Sequence, residues 1–594
     1  MTRRRGARGA RRAPVVALLA AVVVSGCTAA PEPGPTPADE VVVAVSVPFG
    51  SLNGATPDGR TPGSTLVRGL VQDGFVSLDA RGVPVPDLTF GTVELLDEDP
   101  LTVRYTIGDD ARWSDGVPVT ADDLLLEWAA RSGALDDVEP RLGADGEITN
   151  AAELDAGVAF AATSPALVHV HDQPTVDDEG RVTLTYAHPV ADWLAALDVN
   201  VPAHVLGESV LGVADRATAA DAVTRAIAAR DAGALSRLAH AWRTAFDADE
   251  LAGAPASAVT TGPYVVNAVL PDERVELRRN AAYRGARPAR YQRLVVASDL
   301  HPLDQVAGLA DGTVDVAAPV ASPDVLEAFA EVGAEHVAAG DAAWQLVADT
   351  GHGGVLAPGD DGGADRAAQV REALWLTVPR EQIVQEVMAP LWAQASADDT
   401  VLPTAGEGAG AAGVPPQDVS RARALLTRAQ TATPVRVRLA ADTADPLRAR
   451  LVDLVVASAA QAGIEVVPTA PDAAPGAWDV ALVTHGQDDL PAASVAGLWG
   501  SDGATNATGW SSDATDDALT ALTEDPEPDD AAYDEVARTL LEGGAVLPLV
   551  RAPCLTAVPG TPAADRPDVD RVGPLQLSRA DVTDWWSWAT TSDR

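Results

Sequence analysis

From residue 40 onward, the chain alternates short β-branched runs with longer amphipathic stretches. The first run, residues 41–47, is rich in valine and ended by Pro48, which predicts a buried strand. Similar patterns predict strands at residues 101–107 and 181–186, and helices at residues 120–131 and 219–246. The clearest unit comes later. Residues 435–440 alternate apolar positions with arginine as a strand does, and Asp445-Pro446 then caps and opens a helix. Leu447, Leu451, Leu454, Val455 and Ser458 lie on one stripe of that helix, Gly463 closes it, and residues 464–467 return as a strand. Strand, helix, strand at this spacing implies a right-handed parallel crossover, and residues 478–483 are expected to add another strand.

Loops rich in glycine and aspartate, at residues 351–365 and 404–416, are expected to be exposed. Within the second, residues 408–413 match the dinucleotide-binding glycine pattern by letter. A strand does not precede them, and Pro415-Pro416 stands where the helix would open, so the match carries no cofactor.

The N-terminus changes the picture from fold to location. Six arginines without an acid precede an apolar run over residues 13–24, which has the order of a secretory signal. The run is shorter than the roughly 20 residues a membrane span needs. It ends in Val24-Ser25-Gly26-Cys27, which resembles the bacterial lipobox, so Cys27 is expected to be lipidated and to become the mature N-terminus. Residues 1–26 would be the signal peptide, and residues 27–39, with four prolines, a stiff tether to the outer face of the cytoplasmic membrane. Cys554 would then have no partner within the chain.

Composition narrows the function classes. Net charge is −44, and −50 without the six leader arginines, which opposes nucleic-acid binding. The sequence contains no lysine, so Schiff-base and phosphate-loop lysine chemistry are excluded.

Trp113-Ser114-Asp115-Gly116-Val117-Pro118-Val119-Thr120-Ala121-Asp122-Asp123 is a turn followed by a capping-box variant, Thr120 with Asp123. It resembles the signature of the family 5 solute-binding proteins, the dipeptide and oligopeptide receptors of ABC importers. Further strings follow in that family's order: Val201-Pro202-Ala203-His204, Thr261-Gly262-Pro263-Tyr264, Arg279-Asn280-Ala281-Ala282-Tyr283, Leu309-Ala310-Asp311-Gly312-Thr313-Val314-Asp315, Val370-Arg371-Glu372-Ala373-Leu374, Asn506-Ala507-Thr508-Gly509-Trp510 and Val546-Leu547-Pro548-Leu549.

The resemblance implies an α/β bilobed clamp, periplasmic-binding-protein-like, of type II with an extra inserted subdomain. It places lobe I at residues 40–67, 189–300 and 540–594, the inserted subdomain at 68–188, and lobe II at 301–539. Hinge strands are expected near residues 291–297 and 545–550, with lobe closure burying the ligand. Residues 212–250, with Trp242 and Phe246, are expected to be a helical addition packed on the surface.

In oligopeptide-binding members, a carboxylate that follows a strand resembling Asp479-Val480-Ala481 pairs with the ligand's α-ammonium. The resemblance carries that role to Asp488, with Asp489 competing one register on. His485 stands where such receptors tend to have an aromatic residue. Trp499 and Trp510 are candidate pocket walls, while Trp585, Trp586 and Trp588 are expected to seal lobe I.

His169 and His171 could share one strand face at a zinc-chelating spacing, yet a third ligand is missing from the sequence nearby, and a polar strand edge is the expected outcome. Neither a catalytic serine or zinc motif nor a paired-cysteine motif occurs, so an enzyme is not expected and no cofactor is implied. The expected function is a monomeric, lipid-anchored receptor that captures a small ligand, foremost a peptide, and delivers it to ABC permease subunits. The alternative is a regulatory or scaffolding lipoprotein of the same fold acting in cell-envelope glycolipid assembly.

Overall fold

The computed structural model describes residues 40–78, 84–141, 148–270, 273–358, 363–403, 410, 413–561 and 573–576. Its strands are β1 Glu40–Val45, β2 Val76–Leu78, β3 Pro84–Pro86, β4 Gly91–Glu98, β5 Leu101–Ile107, β6 Thr175–Val176, β7 Val182–Thr185, β8 Tyr264–Leu270, β9 Arg274–Arg279, β10 Arg293–Ala297, β11 Val316–Ala318, β12 Glu335–Ala348, β13 Val435–Ala440, β14 Ile464–Thr469, β15 Val480–His485 and β16 Val546–Val558.

Ten of these form one sheet in the order β14-β13-β15-β12-β16-β11-β1-β10-β9-β8. The two longest, β12 and β16, run antiparallel along each other and belong to both ends of it. Their first pairing zone, Glu335 with Val558 to Gly340 with Pro553, sits beside β11 and β1. The second, Ala343 with Arg551 to Val347 with Val546, sits beside β15. Register shifts between Gly340 and Ala343, so a break in the ladder separates the zones. Apolar side chains collect separately on either side. Val41, Val43, Leu277 and Val296 pack on one side with Trp113 and Trp128, and Leu346, Leu374, Leu451 and Leu549 pack on the other. Two lobes joined by two continuous strands follow, which is the architecture of a clamp.

The second lobe contains the predicted crossover. Asp445 caps the helix Pro446–Ala462 by accepting from the Leu447 and Arg448 amides, and Gly463 ends it at φ 87°. Leu451, Val452, Leu454 and Val455 are buried there, each contributing roughly 1.5–3 kcal/mol. β13 and β14 pair in parallel on either side of the connection. In the first lobe β4, β5, β7 and β6 form a separate four-stranded sheet in that order.

Several expectations need correction. The strand at residues 293–297 is not a hinge: it is held between β1 and β9 inside the first lobe. The helices Pro302–Asp311 and Pro323–Val332 pack with Ala44, Leu555 and Ala557, so the chain first leaves this lobe at β12, not at residue 301. The helix expected over 219–246 is two helices, Arg216–Ala229 and Ala232–Thr244. Arg230 turns left-handed at φ 47°, and Asp231 caps the second by accepting from Gly233 and Ala234.

Candidate functional site

Strand direction decides where the cleft lies. β1 and β11 are parallel, and β11 opposes β16, so the carboxyl ends of β1 and β11 point toward the break between the lobes. β15 returns along β12 from Val480 beside Ala348 to His485 beside Ala343, so its carboxyl end reaches the same level. Carboxyl ends of strands in open α/β sheets are where ligands bind. The loops that meet there follow β1, at residues 46–60, and β15, at residues 486–490.

The first loop is anchored by the helical insertion. Asn53 Nδ2 donates to Trp242 O at 2.6 Å, Leu52 N to Phe246 O at 3.0 Å, and Ser51 Oγ to Phe246 O at 3.1 Å. Trp242 and Phe246 are fully buried, so this addition is part of the lobe core and braces the cleft, in contrast to the surface packing expected.

Arg60 ends the loop, where its Nη2 donates to Ala55 O at 2.9 Å. The side chain keeps exposed surface, and burial among its neighbours is the foremost cause lowering its pKa. The Arg131 and Arg68 charges lower it further, while Asp488 and Asp489, from the opposite lobe, raise it. A guanidinium from one lobe therefore lies within electrostatic reach of two carboxylates from the other.

Asp488 Oδ1 accepts from the Leu490 amide at 3.0 Å, which fixes the turn into the helix Pro491–Trp499. Neighbouring His485 is desolvated, so its pKa is lowered and the imidazole is neutral near pH 7. Gln487 has both amide atoms enclosed and without a hydrogen-bond partner among the described residues. An enclosed amide of this kind is ready for a partner from outside the chain.

The other candidates fall elsewhere. Trp499 and Trp510 are 4% and 5% exposed, packed in the second lobe's core with Leu519, Leu522 and Val536, so they are not pocket walls. The indole of Trp510 donates to Thr515 Oγ1 at 3.2 Å. Apolar faces of two flanking helices needed a large filler, and tryptophan supplies it. His169 is in a tight turn, Leu167–His169, and not on a strand, because Ser164 Oγ bends the chain by accepting from Ala166 and Leu167. It meets His188 edge-on, and among the described residues no group of three metal-ligating side chains forms. Cys27 and Trp585, Trp586 and Trp588 lie outside the described residues.

The ordered strings turn out to brace one another. Asp123 Oδ1 accepts from Ala203 N at 2.9 Å, and its Oδ2 from Thr120 N at 2.9 Å and Trp113 Nε1 at 3.3 Å. Asp115 Oδ2 lies 3.0 Å from His204 Nε2. Asn280 donates to Gly262 O at 2.9 Å, which joins the Gly-Pro-Tyr and Arg-Asn strings. The strings joined in this way act as scaffold within the first lobe.

Comparison with known proteins agrees with this architecture. The profile of the bacterial extracellular solute-binding proteins, family 5 middle, matches residues 84–507. An uncharacterized lipoprotein of Mycobacterium tuberculosis is 26% identical over 509 residues, covering 80% of this chain and 81% of the relative. Among solved structures, the periplasmic EDTA-binding protein EppA superposes with a TM-score of 0.70 at 20% identity, covering 94% of this chain and 97% of EppA. The unliganded open form of the periplasmic murein tripeptide binding protein MppA gives 0.58 at 16%, covering 93% and 98%. A clamp with its loops gathered at the strand ends, and a profile spanning most of the chain, place this protein in family 5 of the bacterial extracellular solute-binding proteins, non-enzymatic receptors that capture a small ligand for an ABC transporter.

Proposed function

We propose that this chain is a lipid-anchored receptor, tethered through Cys27 to the outer face of the cytoplasmic membrane, that closes on a small zwitterionic solute. A short peptide is the foremost such solute, and the partner that receives it is the permease of an ABC importer. The observation that supports the reading is that the Arg60 charge lies within electrostatic reach of Asp488 and Asp489, which come from the other lobe. A carboxylate of the ligand would face Arg60, and its ammonium would face Asp488, each through a charge-assisted bond roughly twice as strong as a neutral one. Gln487 would supply an amide to the ligand backbone. EDTA and a murein tripeptide, named for two structural relatives, both carry carboxylates.

Titration with alanine tripeptide, free and N-acetylated, tests this by intrinsic tryptophan fluorescence. Asp488→Asn should weaken the free-amine peptide about tenfold or more, in line with a lost charge-assisted bond, and leave the acetylated one unchanged. Equal affinity of parent and variant for the free-amine peptide overturns the assignment. Native mass spectrometry of the purified protein would identify a ligand carried through purification.

A further inference from the structure

A short segment of the first lobe reaches across to the second at a place distinct from the ligand loops. Residues 190–200 belong to the first lobe. Tyr105 Oη donates to Trp193 O at 3.2 Å, Asp198 accepts from Phe75 N at 3.0 Å, and Gly54 N donates to Asn200 Oδ1 at 3.0 Å. The helices Pro491–Trp499 and Asp513–Glu524 belong to the second lobe, through Val495, Trp499, Leu519 and Leu522.

Between them run four hydrogen bonds. Asp192 Oδ2 accepts from Ala493 N at 2.8 Å and Oδ1 from Ala492 N at 3.4 Å. Ala191 N donates to Thr523 O at 3.0 Å, and Trp193 Nε1 to Pro526 O at 2.9 Å. Apolar contacts are exchanged as well: Leu490 packs in the first lobe's core, and Ala191 packs against the second's. The helix Pro491–Trp499 has Leu490 at its N-cap, a residue with no side chain able to accept, so Asp192 caps it from the other lobe.

We propose that Asp192 is a closing latch: it draws the lobes together before ligand arrives, and the strength of its cap sets how tightly ligand is then held. The proposal rests on the reading of the chain as a clamp that closes on solute. Because the cap bonds backbone amides, it is independent of which solute fills the cleft.

The latch is linked to protons. Enclosure between the lobes raises the Asp192 pKa to about 6, the two amides oppose that, and Asp488, on the segment preceding the helix, adds to it. Tyr533 also faces it, from the helix Asp530–Gly543; burial raises the phenol's pKa, with the Asp192 charge adding to that. In an open clamp the carboxylate returns to water and its ordinary lower value. The closed form therefore binds the proton more strongly, and closure strengthens as pH falls through about 6.

Hydrogen exchange of the full-length lipoprotein in lipid nanodiscs, without added solute, tests the latch. Asp192→Ala should speed exchange over residues 490–499 and 521–526 about tenfold or more while residues 446–462 stay unchanged. Asp192→Asn, which keeps an acceptor, should retain protection. After correction for intrinsic rates, parent protection over 490–499 should rise from pH 7.5 to pH 5.0, and Asp192→Asn should show no such rise. Unchanged exchange in Asp192→Ala, equal acceleration over 446–462, or a parent-like pH response in Asp192→Asn overturns the proposal. Since no solute is present, failure to bind peptide would count against the proposed function and leave this result standing.

Discussion

Gly340, opposite Pro553 in the ladder that joins the lobes, lies against the Arg551 side chain two residues along the partner strand, with no room for a side chain of its own. A Cβ on Gly340 would lie 2.7 Å from the Arg551 Cβ and 2.8 Å from the Trp392 ring. The register break of β12 against β16 begins at this glycine. Gly340→Ala should therefore push the strands apart and destabilise the protein by about 1–3 kcal/mol, the usual cost of overpacking. Denaturant unfolding would measure it.

In the proposed site, Arg60 supplies the positive charge. Arg60→Gln should weaken binding of a carboxylate-bearing peptide about tenfold, while Arg181→Gln, at an exposed ion pair, should leave affinity within error. Paired fluorescence titrations of the two variants decide it.

Stability should rise as the solution is acidified from pH 7.5 toward 5. Burial raises Asp198 to about 7 and Asp123 to about 6, both above the unfolded value. A raised carboxyl pKa means the folded state holds the proton more tightly, so its contribution is full below about pH 4 and lost as pH rises through about 6 to 7. The slope per group is at most about 1.4 kcal/mol per pH unit. Melting temperatures across this range should show it, and Asp198→Asn should flatten it.

Asp123 ties the Trp113 string to the helix that follows and to Ala203. Asp123→Ala would leave three donors without an acceptor, two of them backbone amides, at a cost of about 3 kcal/mol or more. Chemical denaturation should show the loss, with ligand affinity of the remaining folded protein little changed.

Much of the fold was legible from local chemistry. Asp445, the apolar stripe and Gly463 specify the helix Pro446–Ala462 and its flanking parallel strands through capping and periodicity, which act within a few residues. Thr120 and Asp123 likewise announce the start of the helix Ala121–Arg131. The site was much less legible. Asp488 follows β15 into the cleft loop, but Trp499 and Trp510 are core residues, and a large aromatic ring gives no sign in the sequence of which side it will be buried on.

Arg60, Gln487 and Asp192 have no motif around them, and their roles arise from partners far along the chain. Arg60 comes within electrostatic reach of Asp488 across more than four hundred residues, and Asp192 caps a helix three hundred residues away. The hinge shows the same division. β-branched patterning predicts that strands exist, yet only strand pairing decides that β12 and β16 cross between lobes while β10 stays within one. The sequence by itself determined the absence of lysine chemistry, the local elements and the family order of its motifs. Tertiary structure alone decided which carboxyl ends of strands share a cleft and which charges face each other there, because those contacts depend on strand order and chain return, not on neighbouring residues.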